Sequence, residues 1–102
     1  NIILFNSNPI TFFGLIVSLK KQPYLNFIVF NTIEEITAKL EENNTNILII
    51  DSEVLDAKLK ASIKNTKDLK VIALSDKKES NEYIHSIVPK SVSIDTLVEQ
   101  FN

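Results

Sequence analysis

Short apolar runs alternate along this chain with longer segments in which apolar residues recur every three or four positions. Ile2-Ile3-Leu4-Phe5 is too short for a helix and rich in β-branched residues, so it reads as a buried strand. Asn8-Pro9 then predicts a helix start, with Asn as cap and Pro at the first helical position, and the helix runs to about Lys20, before Pro23. Phe27-Ile28-Val29-Phe30 is a second strand. Thr32 followed three residues later by Glu35 is a capping box, and Ile33, Ile36 and Leu40 mark one face of the helix it opens.

The run Asn46-Ile47-Leu48-Ile49-Ile50 is a third strand that ends abruptly in the carboxylate of Asp51. After it, Leu55, Leu59 and Ile63 fall on one helical stripe. Val71-Ile72-Ala73-Leu74 is a fourth strand, ending in Ser75-Asp76, and a fifth lies within Tyr83 to Val88. Ser93 caps a last helix in which Ile94, Leu97, Val98 and Phe101 repeat at helical spacing. Strands alternating with helices predict a doubly wound parallel sheet, with right-handed crossovers placing helices on both faces.

Composition narrows the function classes. A chain of 102 residues is one domain, and its 44% hydrophobic and 24% charged content is ordinary for a globular protein. The formal charge of −2 gives no general attraction to nucleic acid or anionic membrane. All 11 basic residues are Lys, which removes the bidentate reader of phosphates and base edges, so this segment is not expected to bind DNA directly. The absence of Cys excludes disulfides, thiolate chemistry and Cys-based metal sites, and agrees with a cytoplasmic location. No apolar stretch approaches the roughly 18 residues of a membrane span, and no signal-peptide pattern is present. A first residue other than Met and an end at Phe101-Asn102 lead us to expect a part of a longer protein.

In an open parallel sheet, ligands and chemistry gather past the carboxyl ends of the strands. Asp51 stands at such a point. On its own run it reads equally well as the cap of the helix that follows.

The order of elements resembles the receiver (CheY-like, flavodoxin-like) domain of bacterial two-component response regulators over essentially the whole chain. Within that family it looks most like receivers joined to LuxR/NarL-type helix-turn-helix output domains. The resemblance implies a five-stranded parallel sheet of order 2-1-3-4-5. Asp51 falls where the family carries its phospho-accepting aspartate, Ser75 where a Ser or Thr hydrogen-bonds the phosphoryl group, and Lys90 at the family's lysine. The run Ser91-Val92-Ser93-Ile94-Asp95-Thr96-Leu97 resembles that subfamily's entry into its last helix. Phe5-Asn6-Ser7-Asn8-Pro9, with Gly14 after it, resembles the family's opening of strand, acidic pair, His and Pro.

The departures matter as much. Where receivers carry two adjacent acids that hold Mg²⁺, this chain has Asn6 and Ser7, neutral groups that suit a hard cation poorly. Phosphoryl transfer relies on positioning and charge neutralisation, so losing those acids is expected to be severe. Glu53 is a partial substitute at best, and Asp76 beside Ser75 repels a phosphoryl group. The Pro- and Gly-containing loop after the acceptor is replaced by Ser52-Glu53-Val54-Leu55-Asp56. Between Ser75 and Lys90 there is too little chain for a full helix and a strand, so the fourth helix is expected to be shortened or missing. The pocket of Asp51, Ser75, Lys90, Asn6 and Ser7 is therefore read as vestigial, a hydrogen-bonded and ion-paired cluster with no resident cofactor.

The first helix offers a different clue. If Thr11, Leu15, Ser18 and Leu19 face the sheet, as the family's register implies, then Phe12, Phe13, Ile16 and Val17 point outward and form an apolar patch. That predicts a symmetric homodimer through the first helix. The alternative is that these side chains are core, because a helix apolar nearly all round is not oriented by periodicity. His85, the only histidine, reads as a strand or surface residue, and Lys20-Lys21 and Lys77-Lys78 as solvated surface. Tyr83 lies near the family's switch aromatic.

Two functions follow. The favoured one is a non-enzymatic pseudo-receiver, a dimerisation or docking module that positions an output domain beyond Asn102, through which alone DNA would be bound. The alternative is a phosphotransfer receiver in which Asp51 takes a phosphoryl group from a histidine kinase. Other flavodoxin-like classes fit less well. A phosphotransferase domain with a nucleophilic Cys lacks its Cys, and a flavin domain would want more than one Gly.

Overall fold

A computed structural model describes residues 2–7, 9–23, 25–42, 44–75, 84–89 and 93–101, and the side chains of these except Thr11, Ser52 and Ile94. The elements in chain order are β1 (Ile2–Phe5), α1 (Pro9–Lys20), β2 (Phe27–Phe30), α2 (Ile33–Leu40) and β3 (Ile47–Asp51). A 3₁₀ turn (Ser52–Val54), α3 (Ala57–Lys64), β4 (Lys70–Leu74), β5 (Ser86–Val88) and α4 (Ile94–Glu99) follow. The five strands form one all-parallel sheet in the order β2-β1-β3-β4-β5. This is the doubly wound sheet that the alternation of runs predicts, in the CheY-like order that the family resemblance implies.

Register explains the two-sided core. Leu4 pairs with Ile49 and Ile49 with Ile72, so these side chains share one face of the sheet. There they meet Phe12 and Leu19 of α1 and Leu97 of α4. Ile3, Leu48 and Val71 share the other face and meet Ile36 and Leu40 of α2 and Leu59 and Ile63 of α3. Because both faces are covered, β1, β3 and β4 read as unbroken apolar runs rather than as alternating ones.

Local chemistry fixes the helix ends. The Thr32 hydroxyl accepts from the Glu35 backbone N–H at 3.2 Å and donates to the Glu35 carboxylate at 2.9 Å. Asp56 caps α3 through Leu59 N–H at 2.8 Å, and Ser93 caps α4 through Thr96 N–H at 3.3 Å. Leu55, expected on the α3 stripe, lies ahead of that helix and packs against its core from the turn. The proposed Asn8 cap, the inward Thr11 and the stretch 76–83, with Asp76, Lys77-Lys78, Tyr83 and the shortened fourth helix, lie outside the described residues.

The orientation expected for α1 needs correction. Phe12 is fully buried, together with Leu19, and Leu15 and Ile16 pack partly buried beside them. Phe12, Leu15, Ile16 and Leu19 are thus the sheet-facing stripe, at the spacing of a helix face. Phe12 is core, not surface, and Ile16 lies at the core's margin. The outward face is Ile10 (92% exposed), Phe13 (70%), exposed Gly14 and Val17 (38%). Both stripes are apolar, so hydropathy does not distinguish them. Burial of the larger Phe12–Leu19 set settles the rotation.

Candidate functional site

The carboxyl edge of the sheet collects the residues that sequence singles out. β1 ends into Asn6 and Ser7, β3 ends at Asp51, and β4 ends into Ser75. Asp51 pairs in register with Leu74, which places Ser75 one residue beyond it on the neighbouring strand. Both Asp51 and Ser75 are buried. Asp51 continues the alternation of Ile47 and Ile49, so it projects from the sheet face covered by α1 and α4.

Hydrogen bonds hold this edge in place. The Ser75 N–H donates to the Val88 carbonyl at 2.9 Å and the Asn6 N–H to the Phe30 carbonyl at 2.8 Å, extending two parallel pairings past the strand ends. The Asn6 amide donates through Nδ2 to Asn31 Oδ1 at 3.3 Å, while Asn6 Oδ1 is buried and has no partner among the described residues. Asp51 Oδ1 accepts the Glu53 backbone N–H at 3.0 Å and caps the 3₁₀ turn. The capping alternative for Asp51 is therefore realised, on a 3₁₀ turn rather than on the following α-helix. An aspartate bonding the N–H two residues on is an Asx turn, and Asp51-Ser52-Glu53 is the sequence signal for it.

The chemistry of this donor set decides what it can hold. Asp51 is one carboxylate, Asn6 Oδ1 one neutral carbonyl oxygen, and Glu53 is exposed at the turn. Among the described residues no three His, Cys, Asp or Glu side chains converge. Mg²⁺ requires near-octahedral oxygen donors and favours carboxylates, and this set does not fit it as a resident ion. Lys90 lies outside the described residues, so the expected ion-paired triad is represented here by Asp51 and Ser75.

Sequence reasoning missed several partners. Asn31, at the end of β2, anchors Asn6. His85, just before β5, turns its Nδ1 onto the Val71 N–H at 2.9 Å. At the amino edge, the Lys70 ammonium donates to the Gln100 carbonyl at the end of α4, a favourable place for a cation. A cleft of about 500 Å³ opens at that amino edge, over Ile2, Leu25 and Phe101, with Asp68 in the left-handed conformation (φ 57°) on its rim.

Comparisons of the chain with protein-family models, curated proteins and solved structures give no match. Among the described residues, no helix is long and apolar enough to cross a membrane.

Proposed function

We propose that this chain is a receiver-like signalling domain of a two-component-type transcriptional regulator, working by protein contact rather than by phosphorylation of Asp51. The observation that carries the reading is the carboxyl edge. Asn6 and Ser7 stand where the resembled family has its acids, and Asp51 is engaged as the cap of the turn at Glu53. A carboxylate facing an anionic phosphoryl donor without the acidic pair that holds Mg²⁺ in the resembled family has less to stabilise the charge that develops. The exposed stripe Ile10-Phe13-Val17 supplies an apolar surface of the kind that marks protein contacts. In this reading the domain is cytoplasmic and not an enzyme, and DNA is reached only through an output domain outside this segment.

The second reading, a receiver phosphorylated by a histidine kinase, is favoured by one observation. Asp51 and Ser75 remain at the ends of neighbouring strands, both buried at the mouth of the sheet. Intact mass after incubation with acetyl phosphate and Mg²⁺ separates the two. The proposal expects no adduct on the folded chain. A phospho-adduct absent from Asp51→Asn overturns it in favour of the second reading.

A further inference from the structure

Gly14 is the single glycine of the chain, and it sits in the interior of α1, where glycine weakens a helix relative to alanine. Its φ is not positive, and among the described residues a Cβ added there would meet no atom within 4 Å beyond its chain neighbours and its own helix backbone, so packing inside the domain does not call for it. It lies on the outward face, flanked by Phe13 and one turn from Ile10 and Val17. A bare backbone in the middle of an exposed apolar stripe leaves room for something outside the domain to approach closely.

Charge around the stripe indicates what approaches. α1 carries no acidic residue and ends in exposed Lys20, followed by exposed Lys21. α4 touches α1 on the same side of the sheet and carries exposed Asp95 and Glu99 with no basic residue. Both helices follow strands of a parallel sheet, so both run from the carboxyl edge to the amino edge. Lys20 and Lys21 therefore lie at the opposite end from Asp95, and among the described residues they form no salt bridge with it. A second copy of the domain laid antiparallel across α1 brings Lys20 and Lys21 of each protomer toward the first turn of α4, with Asp95, in its partner. The helix dipole also favours the acid at that end.

We infer that α1 is a two-fold dimer interface in which the helices of two copies cross at Gly14, with Phe13 and Val17 packed around the crossing. Lys20 and Lys21 flank it and are paired with Asp95 of the other copy. Small residues at a crossing let backbones approach, and an isologous contact uses each of these residues twice. The inference rests on the reading of this domain as a contact module and names its partner.

Sedimentation equilibrium from micromolar to millimolar protein tests it. The chain is expected to dimerise, and Gly14→Leu to weaken the dimer at least about tenfold while leaving the dilute monomer's unfolding midpoint unchanged or raised. Lys20→Glu with Lys21→Glu is expected to weaken the dimer, and adding Asp95→Lys to restore it. A monomer at millimolar concentration overturns the inference and assigns the stripe to another partner. An unchanged dissociation constant for Gly14→Leu, or no rescue by the charge swap, also overturns it. The outcomes separate from those at Asp51. A Gly14-dependent dimer that also accepts a phosphoryl group sinks the proposed function alone, whereas a monomer that takes no adduct sinks the dimer alone.

Discussion

His85 and Val71 bind each other twice. The Val71 backbone N–H donates to the His85 imidazole at Nδ1, and the His85 backbone N–H returns to the Val71 carbonyl, each at 2.9 Å. A side chain thus stands in for the strand that would otherwise continue β5 along β4. The bond requires an unprotonated Nδ1, hence the Nε2–H tautomer.

Removing that imidazole takes the acceptor from the partly buried Val71 N–H. His85→Ala is expected to destabilise the domain by about 1 kcal/mol, the net worth of a lost hydrogen bond. Urea unfolding measures it, and long-range ¹H–¹⁵N correlation in the parent protein is expected to report the Nε2–H form. A neutral His85→Ala would show that water replaces the ring.

Phe12 and Phe13 are neighbours with opposite fates. Phe12 is fully buried among β1, β3 and α4 residues, so Phe12→Ala is expected to cost about 3–5 kcal/mol. Phe13→Ala is expected to change stability by no more than about 0.5 kcal/mol at concentrations where the chain is monomeric. Denaturant midpoints of the two variants check the rotation of α1 directly. Equal losses would contradict it.

At Asp51 the capping role makes a ranking. Asp51→Ala loses the acceptor for the Glu53 N–H and is expected to lower stability by at least about 1 kcal/mol. Asp51→Asn keeps an acceptor oxygen there and is expected to lose less. Thermal unfolding of both variants tests the order, and a more stable Asp51→Ala would remove the cap as the reason for Asp51's placement.

Thr45 carries a buried hydroxyl with no hydrogen-bond partner among the described residues. Thr45→Val removes the stranded oxygen while keeping the shape, so it is expected to stabilise the domain by about 1 kcal/mol. A rise in the urea midpoint with an unchanged slope is the signature.

The five strands were legible because each apolar run is short and bounded, and β1, β3 and β4 are buried on both faces, leaving little choice of element. Their order followed from the family resemblance rather than from the runs. Thr32, Ser93 and Pro9 marked helix starts in the sequence because their chemistry is local. The rotation of α1 was not legible. Phe12 and Phe13 are the same residue type at adjacent positions, and only the space over Leu4, Ile49 and Leu97 selects between them. The site was legible as a set of strand ends, since Asp51 and Ser75 follow apolar runs. Its wiring was not, because Asn6–Asn31 and Val71–His85 join residues 25 and 14 positions apart through contacts that no local pattern encodes.

The pairing of Ile2 with both Phe27 and Ile47 has a consequence for how the domain comes together. The strand earliest in the chain is interior to the sheet, so one of its edges stays open until a strand some forty-five residues later has been made. Contacts of such separation slow folding and leave unpaired, sticky backbone in the interval. During synthesis β1, α1 and β2 therefore emerge as an incomplete sheet. The arrival of Ile47–Asp51, the strand that carries the aspartate, is the event that covers the open edge of β1.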